Sequence, residues 1–273
     1  KVKLTNESSE AKELKIFSYM EFSCYSAQCD ILAEWPRYFF DCYRYKDTVV
    51  FDPSNEITDY ERRYAFMATS LKVDGYECQK KAFIGNYRNE ANPIAVERGE
   101  LSCTDINADY AIGSLSGSVS LAPGEEKEFI YCIGDADTLE DVTKCAKEAT
   151  DLKLAEANFA ALKAKWDKIL SLQQVNTPCP EMNSMLNVWH PYECQMTFNW
   201  SRFISYYERG VTRGFGFRDS MQDVLGAMYA DPKACKDRIE LLLGIQLSDG
   251  SAKSVYFPAT KTSEGGGRSD DHL

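Results

Sequence analysis

Histidine is almost missing from this chain: 273 residues hold two, His190 and His272. A Ser-His-Asp or Cys-His nucleophilic site needs an imidazole as its base, so that chemistry has little to stand on. His190, between Trp189 and Pro191, reads as a packed, aromatic-like side chain rather than a catalytic one. A zinc site fares no better. None of the ten cysteines (Cys24, Cys29, Cys42, Cys78, Cys103, Cys132, Cys145, Cys179, Cys194, Cys235) stands in a CxxC pair, and no metal site is expected. No apolar run approaches the roughly 18 residues that a membrane-spanning helix requires. The phosphate-binding G-x-x-x-x-G-K-[ST] loop, a GxGxxG turn, a GxSxG elbow and HExxH are absent as well. Positive charge is in deficit, with 31 Lys and Arg against 42 Asp and Glu, for a net charge of −11 and a pI near 4.8. That balance argues against nucleic acid and against a membrane surface as partners, since both are bound through cationic faces.

What is present is globular. Hydrophobic residues make up 44 % and aromatics 12 %, in a chain long enough for two ordinary domains. The scatter of the cysteines predicts buried thiols in a reducing, cytoplasmic setting, without disulfides. The chain opens on Lys1 inside an apparent strand and stops at Leu273 without a closing element, which leads us to expect a fragment.

Up to about residue 134 the pattern is that of a β-sandwich. Leu14, Ile16, Ser18 and Met20 alternate with Lys15, Phe17, Tyr19 and Glu21, and the stretches 48–51, 64–73 and 113–121 continue with period two. Ser118–Gly134, with the Pro123-Gly124 turn between its two alternating segments, predicts a hairpin. Residues 81–102 read as a long loop over the sandwich surface, and nothing helical is expected before Asp135. From there the period changes. Leu139, Val142, Cys145 and Ala149, then Leu152, Ala155, Phe159, Leu162, Trp166 and Ile169, mark two helices of a linker over 135–177. Thr177-Pro178-Cys179-Pro180 breaks it. Further helices follow around 182–189, where Pro191 should end or kink the run, and at 221–229 and 235–247, separated by Asp231-Pro232. The segment after 248 reads as loop. Helix, glycine loop, helix, proline turn, helix is the pattern of stacked helical hairpins, whether in a bundle or an α/α toroid.

The centre of this half is Asn199–Asp223, NWSRFISYYERGVTRGFGFRDSMQD. Arg202 is expected near the end of a helix, which Gly210, Gly214 and Gly216 then break, glycine being the residue that reaches positive φ cheaply. Arg213 and Arg218 fall in the loop, and Asp219 and Ser220 stand where the next helix should start. Guanidiniums offer a planar donor fork to oxyanions, and a carboxylate accepts hydrogen bonds from hydroxyls, so a ligand dense in hydroxyls or phosphate oxygens would suit this loop. The plain alternative is that Asp219 or Ser220 caps a helix and that the arginines pair with Glu208 and Asp223.

The run from Val188 to Asp223, above all MTFNWSRFISYYERGVTRGFGFRDSMQDVLG, together with QLSDGSA at 246–252 and SDDHL at 269–273, resembles glycoside hydrolase family 94, the cellobiose, cellodextrin and chitobiose phosphorylases. LKIFSYMEF and NPIAVERGELS are similar to that family's amino-terminal sandwich. The resemblance implies a β-sandwich (1–134), a helical linker (135–177) and the first part of an α/α toroid (178–273). It implies inverting phosphorolysis of a β-linked glucosyl saccharide of cellobiose or cellodextrin type, with inorganic phosphate as co-substrate and no cofactor. In that scheme an acid protonates the leaving oxygen and phosphate replaces the activated water of an inverting glycosidase. Residue by residue, Arg202 matches the phosphate-binding arginine, while Arg213 and Asp219 match the pair that holds the non-reducing glycosyl unit. The catalytic acid is expected beyond Leu273, so no catalytic residue is assigned within the chain and the fragment alone should be inactive. A homodimer is implied too. Trp189-His190-Pro191-Tyr192, Tyr256-Phe257-Pro258 and His272 depart from the commonest cellobiose-phosphorylase pattern, which leaves the acceptor sugar open. The runner-up is a non-catalytic carbohydrate-binding or structural module.

Overall fold

A computed structural model describes residues 1–22, 40–53, 63–200, 202, 214–258 and 260–266. The chain divides into two compact units, one reaching Phe159 and one starting at Ala160.

The first unit is a β-sandwich. Its strands are β1 (Val2–Thr5), β2 (Lys12–Phe17), β3 (Met20–Glu21), β4 (Phe40–Tyr45), β5 (Thr48–Pro53), β6 (Tyr64–Thr69), β7 (Val73–Gln79), β8 (Ile106–Asn107), β9 (Ala111–Leu121), β10 (Glu126–Phe129) and β11 (Tyr131–Ala136). Five of them form an antiparallel sheet in the order β11-β6-β5-β4-β8. In the other sheet β2 and β3 line one edge of β9 and β7 the other. The central strands β5 and β9 are close in space, and the Cys42 thiol reaches the Ile112 carbonyl at 3.4 Å from one sheet to the other. Strand β5 shows why its sequence is apolar without a break: Thr48, Val49, Val50 and Phe51 are all buried. Val50 packs with Phe66 and Ala68 against Val142 and Ala146 of a helix, while Phe51 stacks on Phe22 with ring centroids 5.1 Å apart. Being covered on both faces removes the need for alternation. Each such side chain contributes about 1.5–3 kcal/mol by leaving water. That helix, α3 (Leu139–Ala149), is capped by the Thr138 hydroxyl, which accepts the Asp141 N–H.

Three expectations in this unit need correction. The Pro123-Gly124 turn forms, with Glu125 N–H on the Ala122 carbonyl at 3.0 Å and Gly124 at φ 73°, but its flanking strands do not pair with each other. Strand β10 pairs with β1, and β9 with β2, β3 and β7. Periodicity specifies a strand and says nothing of its partner. The stretch 64–73 is two strands, broken where the Ser70 and Leu71 amides bond Ile130 O and Thr69 Oγ1. Residues 81–102 are not a bare loop. They carry α1 (Lys80–Ile84) and α2 (Ile94–Arg98), whose Phe83, Ile84 and Ala95 join Leu101 and Ile112 in a small core of their own. Five-residue helices are too short to show a 3.6-residue period, so the sequence reads as loop.

The second unit is helical. From α4 (Leu152–Ser171), which begins in the first unit, Ile169 is the buried residue. Pro191 does not end the next run. Helices α5 (Pro180–Ser184) and α6 (His190–Trp200) are joined through a π-helical turn, Met185–Trp189, in which the His190 N–H bonds the Met185 carbonyl five residues back. The wider turn relieves the clash between the proline ring and the carbonyl four residues earlier. Helices α7 (Phe217–Ala227) and α8 (Pro232–Leu243) follow, and the Asp231 carboxylate caps α8 by accepting the Ala234 N–H. Phe198, Val224, Ala227 and Cys235 form the core shared by α6, α7 and α8. The tail is not wholly loop: β12 (Phe215–Gly216), β13 (Val255–Phe257) and β14 (Thr262–Glu264) make a small antiparallel sheet at the start of α7. His190 is exposed rather than packed. Among the described cysteines all eight are free thiols; Cys42, Cys78 and Cys235 are buried, whereas Cys103 and Cys179 are exposed.

Candidate functional site

The site is assembled where α6 ends and where the small sheet leads through β12 into α7. Arg202 lies two residues past α6 rather than within it. Arg213, Gly210 and Glu208 fall outside the described residues. Gly214 and Gly216 are described, and neither is among the positive-φ residues; Gly216 is extended at φ −64°, ψ 130°. What requires glycine at 214 is space. A Cβ on Gly214 would sit 2.3 Å from Val255 Cγ1 and 2.6 Å from the Tyr256 carbonyl, and one on Gly216 would sit 2.9 Å from Asp219 Oδ2.

That same Gly216 is the N-cap of α7, with no side-chain cap. Asp219 is therefore in the first turn and Ser220 is buried beyond it, so neither fills the capping role that the plain alternative assigned. Ser220 Oγ has no hydrogen-bond partner among the described residues. The Asp219 carboxylate stands 4.0 Å from Arg202 Nη1 and 3.1 Å from Arg218 Nη2. It is about one-third exposed.

The strongest contact is one that the plain alternative named only as a surface pair. Arg202 donates from Nε to Asp223 Oδ2 at 2.8 Å and from Nη2 to Oδ1 at 3.0 Å. The Asp223 side chain is only 6 % exposed. Nothing in the sequence pointed to Arg238 of α8. Its guanidinium carbon lies 3.9 Å from the Phe215 ring centroid and 4.7 Å from that of Phe198. Burial lowers its pKa, and the negative charge of Asp223 pushes it back up. The result is a file of alternating charge, Arg218, Asp219, Arg202 and Asp223, followed by Arg238 against two phenylalanine rings. Such a file presents cationic donors beside a carboxylate, the combination that an oxyanion next to a polyol requires.

Comparison with known proteins bears on this arrangement. Residues 1–152 match the supersandwich domain of glycosyl hydrolase 94, and residues 165–270 match the catalytic domain of the glycosyl hydrolase 94 superfamily. The chain is 31 % identical over 94 % of its length to the N,N'-diacetylchitobiose phosphorylase of Vibrio proteolyticus, spanning 32 % of that protein. It is 30 % identical, again over 94 % of its length and 32 % of the relative, to the solabiose phosphorylase of Paenibacillus borealis. It is also 29 % identical over 95 % of its length to a cyclic beta-(1,2)-glucan synthase of Rhizobium meliloti, of which it spans 9 %. The chain thus spans about a third of the length of the first two relatives. A sandwich and a following helical unit, each matching the corresponding domain of one family, lead to one conclusion: this chain belongs to the glycosyl hydrolase 94 family.

Proposed function

We propose that the protein, at its native length, phosphorolyses a β-linked glucosyl saccharide to a sugar 1-phosphate and a shortened sugar. The observation that carries this reading is the Arg202 guanidinium 4.0 Å from the Asp219 carboxylate, inside the segment matching the family's catalytic domain. Arg202 takes the inorganic phosphate through charge-assisted hydrogen bonds. Asp219 and Arg213 hold the glycosyl unit on the non-reducing side of the scissile bond. A carboxylic acid outside this chain protonates the leaving oxygen, and no general base is needed because the nucleophile is already an anion. No further cofactor takes part.

Cellobiose and short cellodextrins head the proposed substrates on the strength of the motif at 196–226. Two relatives carry the names of other sugars, N,N'-diacetylchitobiose and solabiose, so the saccharide class is proposed first and the acceptor second. The division into sandwich (1–134), linker (135–177) and toroid (178–273), a cytoplasmic location and a homodimer belong to the same proposal. A second reading, a non-catalytic carbohydrate-binding or structural module, has one observation in its favour: the matched region is only 9 % of the large glucan synthase, a setting in which a module can serve binding alone.

The test is incubation of the native-length protein with cellobiose, cellotriose, N,N'-diacetylchitobiose and solabiose, with and without inorganic phosphate. Inversion at a β-glycoside predicts an α-configured sugar 1-phosphate, formed only when phosphate is present. Saccharide binding without cleavage would move the protein to the second reading. Cleavage that ignores phosphate would overturn the role of Arg202.

A further inference from the structure

The carboxylate that grips Arg202 is nearly buried and lies one turn along α7 from Asp219, on the same helix face. We infer that Asp223 is a positioning residue for the proposed phosphorolysis: it locks the Arg202 guanidinium in one plane, with Arg238 and its two phenylalanines holding Asp223 in place. The inference rests on the reading that Arg202 receives phosphate.

The geometry carries the argument. A guanidinium has two forks, Nε with Nη2 and Nη1 with Nη2. The first is engaged by Asp223 at 2.8 and 3.0 Å. Two parallel bonds to a planar group fix its orientation, which sets the direction of the second fork. Nη1 on that second edge lies toward Asp219, at 4.0 Å. An arginine left to itself samples many rotamers and must order them when an anion arrives; a pre-oriented one avoids that loss. The two carboxylates on one helix face would repel each other if Arg202 did not lie beside both.

The third member of the device is on another helix. Arg238 has its guanidinium carbon 3.9 and 4.7 Å from the Phe215 and Phe198 ring centroids, and its Nη1 is buried without a hydrogen-bond partner among the described residues. An arginine so placed is held by ring faces and by the field of Asp223, whose charge acts on it. Asp223 is thus hydrogen-bonded by one guanidinium, that of Arg202, and its charge acts on a second, that of Arg238.

A double-mutant cycle in the native-length protein tests this. Asp223→Asn should raise the KM for phosphate about 10- to 100-fold, as expected when a reacting partner is misplaced by about an ångström. The KM for the disaccharide should stay within about threefold. In an Arg202→Ala background Asp223→Asn should add nothing, because its effect passes through Arg202. An Asp223→Asn effect that persists in the Arg202→Ala background, or that falls equally on both substrates, overturns the inference and leaves Asp223 a structural residue. If Asp223→Asn does not fold, Asp223→Glu keeps the charge and shifts it by one methylene. A raised phosphate KM with an unchanged Tm then supports the inference, and a wild-type phosphate KM overturns it. Failure of the underlying reading has its own signature: Arg202→Ala leaves the phosphate KM unchanged.

Discussion

Glu77 in β7 accepts the Ser102 N–H at 3.2 Å, joining residues 25 positions apart in sequence. Its other oxygen accepts the amides of Cys78 and Gln79 at 3.2 and 3.1 Å, and the side chain is fully buried. This carboxylate ties the returning end of the α1–α2 insert to the sandwich. Burial raises its pKa above the ordinary 4.5, against the opposing pull of the backbone N–H groups. Between 4.5 and the raised value the native state holds more protons than the unfolded chain, so this group's contribution falls as pH rises through that window. The stability of wild type minus that of Glu77→Gln should therefore be largest below about pH 4.5 and shrink toward neutrality. Urea unfolding from pH 3.5 to 7 measures it, and a difference that grows with pH would refute the assignment.

Gly214→Ala should destabilise the second unit by about 1–3 kcal/mol, the usual cost of overpacking. The added methyl has nowhere to go, since Val255 Cγ1 and the Tyr256 carbonyl stand 2.3 and 2.6 Å from it. The strain falls on the β12–β13 pairing, Phe215 with Tyr256. Differential scanning calorimetry reads the shift. A cost below about 0.5 kcal/mol would mean that the sheet yields at this point.

Asp219→Asn separates chemistry from scaffolding. Because Gly216 is the N-cap and no side chain caps α7, Asp219 contributes to the fold through its place in the first turn and through its half-open contacts with Arg218 and Arg202. Stability should change by less than about 1 kcal/mol. The value of kcat/KM for the disaccharide should fall at least about tenfold, as an unsatisfied sugar hydroxyl implies. Steady-state kinetics beside a melting curve decide the matter, and silent kinetics would remove Asp219 from the site.

Asp231→Ala should cost about 1 kcal/mol, and Asp231→Asn much less, because asparagine caps nearly as well. The capped amide is Ala234 N–H at 3.0 Å, and Pro232 occupies the first helical position, where its missing N–H does no harm. Equal losses in both variants, by thermal melts, would assign the effect to the charge rather than the cap.

Much of the fold was legible in local pattern. Alternation over 14–21 fell into two strands, β2 and β3, that at 113–121 into β9, the spacing of Leu139, Val142 and Cys145 became a helix, and Asp231-Pro232 separated α7 from α8. These features depend on neighbours within a few residues, where periodicity and backbone chemistry act. Pro191 did not end its helix, because a proline inside a helix can be absorbed by a π-turn, and nothing in the sequence distinguishes that from a break.

Family membership and the identity of Arg202 and Asp219 as candidates were carried by the sequence alone, since a contiguous motif holds them. Tertiary structure decided the rest: the pairing of β10 with β1 across more than a hundred residues, the core under α1 and α2, and the grip of Asp223 on Arg202. It also reversed the reason for Gly214, from backbone freedom to close approach. The physical cause is common to all of these. A strand partner, a buried ion pair and a steric limit are relations between segments far apart in the chain, and only folding brings those segments within reach of one another.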